Sequence, residues 1–326
     1  DPVHGDQIEQ GDERTLGGLK AQYHRRDAWR WLRLDTTLGI SVRHDDIRAT
    51  LHHTQARQRL SPIADHDVRE TSLGAFLKEE LALSRYLRIV AGVRADYFLF
   101  DVNDRRAALP TDLTQAVDPA QGTSGIRGAG QVSPKVSLIV SPHRALDLFL
   151  NFGQGFHSND ARGVVRSIDP VTPLTAARGY EVGLRTRLFQ RLDLALSLWG
   201  LDLDSELVWS GDEGTTESSS ATRRVGAEFE SRLRIVDWLH FDLDFTANDA
   251  RFRENAGNGD AVALAPRFTL SSGLSVRTQF GLRGSLRFVG ITPRPATEDE
   301  FLTAEGTYLL DAFWGYRWRF FEVSVS

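Results

Sequence analysis

The chain has 326 residues, a formal net charge of −5 and 41% hydrophobic residues, with neither cysteine nor methionine. The slight acidity leaves no basic surface for holding nucleic acid by its phosphates, and without cysteine there are no disulfides, thiolate zinc sites or thiol nucleophiles. No run of eighteen apolar residues occurs, so no transmembrane helix is encoded, a test that says nothing about half-apolar barrel strands.

Asp1 to Gly18 is polar and glycine-rich and lacks the apolar stretch of a secretory signal. With no methionine at position 1, the sequence reads as a piece or a processed product whose export signal lies upstream. From there the chain alternates. Leu32, Leu34, Leu38, Ile40 and Val42 interleave with Arg33, Asp35, Thr37, Ser41 and Arg43. Leu87, Ile89, Ala91 and Val93 interleave with Arg88, Gly92 and Arg94; Tyr180, Val182 and Leu184 with Glu181, Gly183 and Arg185. Val225, Ala227, Phe229 and Leu233 interleave with Glu228, Glu230 and Arg232, and the stretch "WLHFDLDFTAND" (Trp238–Asp249) repeats the pattern. Period two marks strands with one apolar and one charged face.

About fifteen strands of roughly 10–17 residues are predicted, at 14–24, 29–43, 46–56, 70–83, 86–102, 131–141, 144–156, 178–189, 192–209, 222–235, 238–252, 266–277, 279–291, 307–318 and 321–326. Within 192–209 the leucines change phase at Trp199 and Gly200, which predicts a β-bulge there. Short links (Ser84-Arg85, Pro142-His143, Gln190-Arg191, Val236-Asp237, Arg319-Phe320) alternate with long polar ones near 57–69, 103–130, 157–177, 210–221, 253–265 and 292–306, a short outer link at 25–28 being the exception.

Short turns at one end and long loops at the other is how a transmembrane barrel is organised. A soluble barrel of this many strands could not fill its own interior with so many apolar side chains. The fold class expected is therefore all-β: an antiparallel up-and-down transmembrane β-barrel in which residues 1–326 form a single partial domain. Lipid takes the apolar face, and the lumen takes Arg185, Arg187, Glu228, Glu230, Arg232, Arg234, Asp242, Asp244, Arg283 and Arg287. Trp29, Trp31, Tyr97, Trp209, Trp238, Trp314 and Trp318 lie near strand ends, where interfacial aromatics collect.

No catalytic arrangement stands out, so no enzyme is expected. There is no nucleophile elbow or phosphate loop, and Gly153 and Gly155 lack the third glycine and helix of a dinucleotide fingerprint. His52 and His53, adjacent on a strand, point to opposite faces and do not chelate one ion easily; no metal or cofactor is expected. His157, Asn159, Asp160 and Arg162 begin a long outer loop, polar and clustered where a strand ends, and Trp209 and Asp212 stand at the next long connection. Asn159 and Asp160 equally suit turn and capping roles. Asp212, Glu213 and Glu217 are a flexible acidic loop before they are a calcium site.

The block "SPKVSLIVSPHRALDLFLNFGQGFHSNDARG" (Ser133–Gly163) resembles a strand-turn-strand block of TonB-dependent outer-membrane receptors. So do "LRIVAGVRADYF", the Tyr180-Glu181 pair with Gly183, and the near-terminal "GTYLLDAFWGYRWRFFEVSVS". Together they cover residues from about 14 to 326. The resemblance implies part of a barrel of about twenty-two strands whose lumen holds a plug domain, with the plug and a closing strand outside this sequence. It implies a bacterial outer-membrane location and uptake of a scarce small molecule or metal chelate, such as a ferric siderophore or cobalamin. Since the family binds cargo with its outer loops, it also makes His157, Asn159, Asp160, Arg162, Trp209 and Asp212 candidate ligand contacts. The implied partners are outer-membrane lipid and, through the plug, the TonB energy-coupling complex, with no nucleic acid. A passive porin and a soluble β-rich module remain the alternatives.

Overall fold

The computed structural model of the chain describes residues 7–29, 31–108, 123–205, 207–210, 215–218, 220–254 and 259–326. Numbered along the chain, fourteen antiparallel strands form one sheet. They are β1 (Gln7–Ala28), β2 (Arg33–Gln55), β3 (Gln58–Ala82), β4 (Leu87–Asp104), β5 (Gly125–His143), β6 (Leu146–Ser158), β7 (Leu174–Leu188), β8 (Leu192–Leu203), β11 (Thr222–Val236), β12 (Leu239–Phe252), β13 (Phe268–Arg277), β14 (Leu282–Ile291), β17 (Thr307–Trp318) and β18 (Phe321–Val325). Each pairs with its neighbour in that order, so the sheet is an up-and-down meander with β1 and β18 at its edges. Two small hairpins, β9 (Leu207–Ser210) with β10 (Thr215–Ser218) and β15 (Arg294–Pro295) with β16 (Thr303–Ala304), rise from the loops. Among the described residues the one α-helix is α1 (Ala161–Val164).

Strand pairing puts like with like. One apolar row runs Leu87, Val140, Leu148, Leu184, Leu196, Phe229, Phe245 and Leu270 across eight consecutive sheet strands, each residue directly opposite the next. Leu87 opens β4 at the short-turn end, whereas Leu270 lies near the loop end of β13. A row of direct partners that climbs from one end to the other means sheared, tilted strands, the geometry of a barrel wall. A one-residue slip anywhere would move a whole strand's leucines onto the charged face, so the alternation itself fixes register. The apolar face stays largely exposed in the isolated chain: Leu38, Ile40, Val182, Leu198 and Leu310 are among many large exposed side chains on it.

The structure corrects five details. The stretches predicted at 29–43 and 46–56 are one strand, β2, so the sheet has fourteen strands where fifteen were expected. Asp45, read as part of a break, lies mid-strand with both oxygens held by Arg14 and Arg43. Residues 57–69 are not a loop but the first part of β3, and β2 reaches it through a tight turn at Ala56 and Arg57, whose φ values are 49° and 64°. Residues 25–28 belong to β1, and the following turn falls at 29–32, on the same side as the other short turns. The one short connection at the loop end is therefore 56–57. The bulge expected at Trp199 and Gly200 is absent: β8 keeps unbroken register with β7 and β11 through both residues. The strand predicted over 192–209 instead ends at Leu203, and β9 is separate. The leucines change phase because Asp202 has already left the apolar band and meets Arg223 at 2.7 Å on the outer face.

Candidate functional site: the polar wall and its inward-folded loop

The polar face is built from the alternate residues of every strand. Between β6 and β12 it forms a groove of about 610 Å³ lined by Phe149, Glu181, Arg185, Arg187, Asp193, Glu228, Glu230 and Arg232. An adjoining groove of about 580 Å³ continues over His240, Asp242, Asp244 and Arg287. The residues assigned to the lumen by alternation thus share one surface; Arg283 lies beyond these grooves, 3.6 Å from Glu322. Charges pair across strands: Arg187 with Asp193 at 2.5 Å and Arg287 with Asp242 at 3.6 Å. Glu230 lies directly opposite Asp244, a like-charge pair that costs stability. Such exposed pairs contribute little to stability; they shape the field of the wall.

Aromatic rings lie flat on this wall where the neighbouring strand offers a glycine. A Cβ on Gly183 would meet the Phe149 ring at 2.4 Å, and one on Gly226 the Trp199 ring at 2.5 Å. The Arg185 guanidinium carbon sits 5.2 Å from the Phe149 centroid, a cation–π contact. Phe149 and Trp199 are apolar residues at polar-face positions. Their sequence signal is that they keep the parity of Asp147 and Asn151, or of Asp193 and Ser197, while the leucines hold the other.

Toward the loop end, residues 159–173 fold onto the polar face of β3 and β4. Asn159 is 2% exposed and closes the loop: its amide nitrogen donates to the Thr172 carbonyl and, at 3.1 Å, to Thr175 Oγ1. Asp160 caps α1, accepting from the Arg162 backbone N–H at 2.9 Å and from its guanidinium at 2.6 Å. Ala161 and Val164 then pack on Val68, Phe100, Val102 and Leu174, the buried apolar cluster of the molecule, with Phe98 and Phe156 edge to face at 5.6 Å beside it. Arg127 Nη1 donates to the Val164 carbonyl at 3.1 Å.

Beneath this loop sits a buried polar set that the sequence reading missed. His66 Nε2 donates to Thr123 Oγ1 at 2.7 Å, Thr123 donates to Asp104 Oδ2 at 3.2 Å, and Arg106 holds both Asp104 oxygens, Nη2 on Oδ2 at 2.9 Å and Nε on Oδ1 at 3.1 Å. His66 Nδ1 is buried without a partner. Burial pushes the His66 imidazole down to about 4, with Asp104 opposing and Arg162 and Arg106 adding to the shift. Burial alone would raise the Asp104 and Asp160 carboxyls, but Arg106 and Arg162 outweigh it and hold both below the usual carboxylate range. No motif marks this set, because its members come from three separate segments.

Of the other sequence candidates, His157 lies half-buried one residue before the end of β6, and Trp209 falls in β9. Asp212 and Glu213 lie outside the described residues. Asp160 and Arg162 keep about a fifth of their side-chain surface exposed; Asn159 is spent on loop closure. The aromatics Trp29, Trp31, Tyr97, Trp238, Trp314 and Trp318 are all exposed; Trp29, Trp31, Trp238 and Trp318 gather at the short-turn end, and Tyr97 lies higher on β4.

A family model described as "TonB dependent receptor-like, beta-barrel" matches residues 5–326. No curated protein matches the sequence. Among solved structures, the ferric citrate transporter FecA in its unliganded form superposes with a TM-score of 0.76 at 13% identity, over 95% of this chain and 48% of its own. The ferric preacinetobactin receptor BauA from Acinetobacter baumannii gives 0.75 at 13%, over 97% and 50%. The ferric-catecholate import receptor Fiu from E. coli K12 gives 0.74 at 14%, over 94% and 49%. The chain spans about half the length of these proteins, and at such identities the likeness is one of fold.

Proposed function

This chain belongs to the TonB-dependent receptor-like β-barrel family, and on that footing we propose that it forms part of an outer-membrane receptor for energy-coupled uptake of a scarce nutrient. The cargo class is a metal chelate such as a ferric siderophore, or a cofactor such as cobalamin, too large for passive pores. The observation that carries this reading is the sorting of the sheet into a continuous apolar face and a charged face that share no residues. Lipid takes the first. The second, lined by Arg185, Arg187, Glu228, Glu230 and Arg232, is the wall of a water-filled lumen that a plug occupies. The loop end, where residues 159–173 fold inward, takes part in binding, with Asp160, Arg162 and His157 within reach of a ligand. The barrel is passive in transport: it holds the site, and force from the TonB complex acts on the plug.

The same inward loop also suits a passive porin, whose conductance a loop on the lumen wall would limit. Uptake separates the two. In cells lacking the intact protein, accumulation of labelled iron from a panel of ferric chelates is expected to fall for one member, and an uncoupler is expected to abolish that uptake in the parent strain. Uptake indifferent to the uncoupler, or open-channel conductance of the purified protein in planar bilayers, would favour the porin. Recovery of the protein without detergent would sink both.

A further inference from the structure

The short-turn end carries a chemistry that ligand uptake does not use. The seven turns at 29–32, 83–86, 144–145, 189–191, 237–238, 278–281 and 319–320 join successive strand pairs of the sheet. Their described residues include four arginines against one carboxylate, Asp237: Arg85 and Arg319, and Arg144 and Arg191, which also border the lower rims of the polar grooves. None of these arginines forms an ion pair with a carboxylate among the described residues. Six of the seven turns also bear an aromatic, such as Trp31, Tyr86, Phe189 and Phe320, and these aromatics are 46% to 89% exposed. The Arg85 guanidinium lies 4.5 Å from the Tyr86 centroid and that of Arg319 5.3 Å from Trp318. The opposite end mixes both signs: loop 159–173 holds Arg162 and Arg166 with Asp160 and Asp169, and loop 292–306 holds Glu298, Asp299, Glu300 and Glu305 against Arg294.

Exposed rings at a strand end settle at the glycerol level of a bilayer, where one side is apolar and the other wet. A guanidinium stacked on such a ring keeps its plane fixed and its N–H edge free, and that edge matches two phosphate oxygens. We propose that the short turns form a ring that binds anionic phospholipid headgroups of the leaflet it meets, with phosphatidylglycerol as the type ligand. The ring holds the barrel at a defined depth and gives the short-turn end a preference for an anionic leaflet. The proposal rests on the membrane-barrel reading above.

The test uses the intact receptor in mild non-ionic detergent, offered equal phosphatidylglycerol and phosphatidylcholine of identical acyl chains, with retained lipid counted by native mass spectrometry. Wild type is expected to retain phosphatidylglycerol in preference, on the order of fivefold, the effect of about one arginine at an anionic surface. The preference is expected to vanish in R85Q/R144Q/R191Q/R319Q and to survive in the loop-end control R253Q/R294Q. If the fourfold variant does not fold, as judged by mobility before and after heating on a gel, the pairs R85Q/R144Q and R191Q/R319Q are each expected to lose part of it. Equal retention of both lipids by wild type, an unchanged preference in the variants, or displacement by soluble glycerophosphate would overturn the proposal. Failure of wild type to insert into vesicles at all would instead overturn the barrel reading.

Discussion

At the scale of single residues, facing decides cost. Leu243 lies on the apolar face of β12 between Ser231 and Ser272, and Asp244 on the polar face opposite Glu230. In the intact receptor Leu243→Arg is expected to lower unfolding free energy by roughly 2–4 kcal/mol, as for a charge near mid-bilayer, and Asp244→Arg by far less. Comparable losses in denaturant titrations would mean the faces are wrongly assigned. Asn159→Ala removes the hydrogen bonds to the Thr172 carbonyl and to Thr175 Oγ1 and leaves the buried Thr175 without that donor; about 1–3 kcal/mol of local stability should go with them, seen as faster proteolysis within 159–173. His66 sets a pH dependence. Its folded value of about 4 lies below the unfolded value of about 6.5, so the unfolded state takes the proton first. Stability is whole above the higher value and falls by about 3 kcal/mol as pH drops toward the lower one. Asp104 and Asp160, with depressed carboxyls, keep their contribution until more acidic pH and lose it as pH falls through their folded values. Hydrogen exchange in 159–173, corrected for intrinsic rate, is expected to quicken from pH 6.5 to 4 in wild type and to lose that dependence in His66→Gln. An unchanged profile in that variant would assign the titration elsewhere.

At the scale of elements, alternation was legible wherever one face meets apolar surroundings and illegible where neither does. The turn at Ala56 and Arg57 escaped the sequence reading because the ends of β2 and β3 project past the apolar band, where both faces are polar and period two has nothing to mark. Pro62, which has no N–H for the ladder, made the stretch look like a loop; it pairs with His52 where the register shifts. His44 and Asp45 looked like a turn because two adjacent polar residues usually are one, yet their partners, Thr71 on one face and Arg14 and Arg43 on the other, come from different strands. The inward fold of 159–173 was not legible, since its fit depends on Phe100 and Val102, apolar residues on the otherwise charged face of β4. The turn itself gives a prediction. Both central residues have positive φ, the conformation that Asn-Gly adopts readily. Ala56→Asn with Arg57→Gly is expected to raise the unfolding midpoint, by the equivalent of about 1 kcal/mol; a lower midpoint would show that the Arg57 side chain matters more than its backbone.

At the scale of the molecule, the strand polarity, the tilted apolar row and the one-sided long loops all describe a wall with lipid on one side and water on the other. The family's fold follows from that sorting, and cargo does not: charges of both signs line the grooves, some paired, as Arg187 with Asp193 and Arg287 with Asp242, and their arrangement singles out no one ligand. The chain has no cysteine, so a single cysteine placed along β12 is the only thiol within it, and any thiol elsewhere in the intact receptor is first replaced by serine. In native membranes, spin labels at 239, 241, 243 and 245 are expected to relax faster with oxygen, which concentrates in lipid, and those at 240, 242, 244 and 246 with a water-soluble nickel chelate. A two-residue alternation of that phase is the predicted result. The opposite phase, or chelate access at every position, would contradict the barrel.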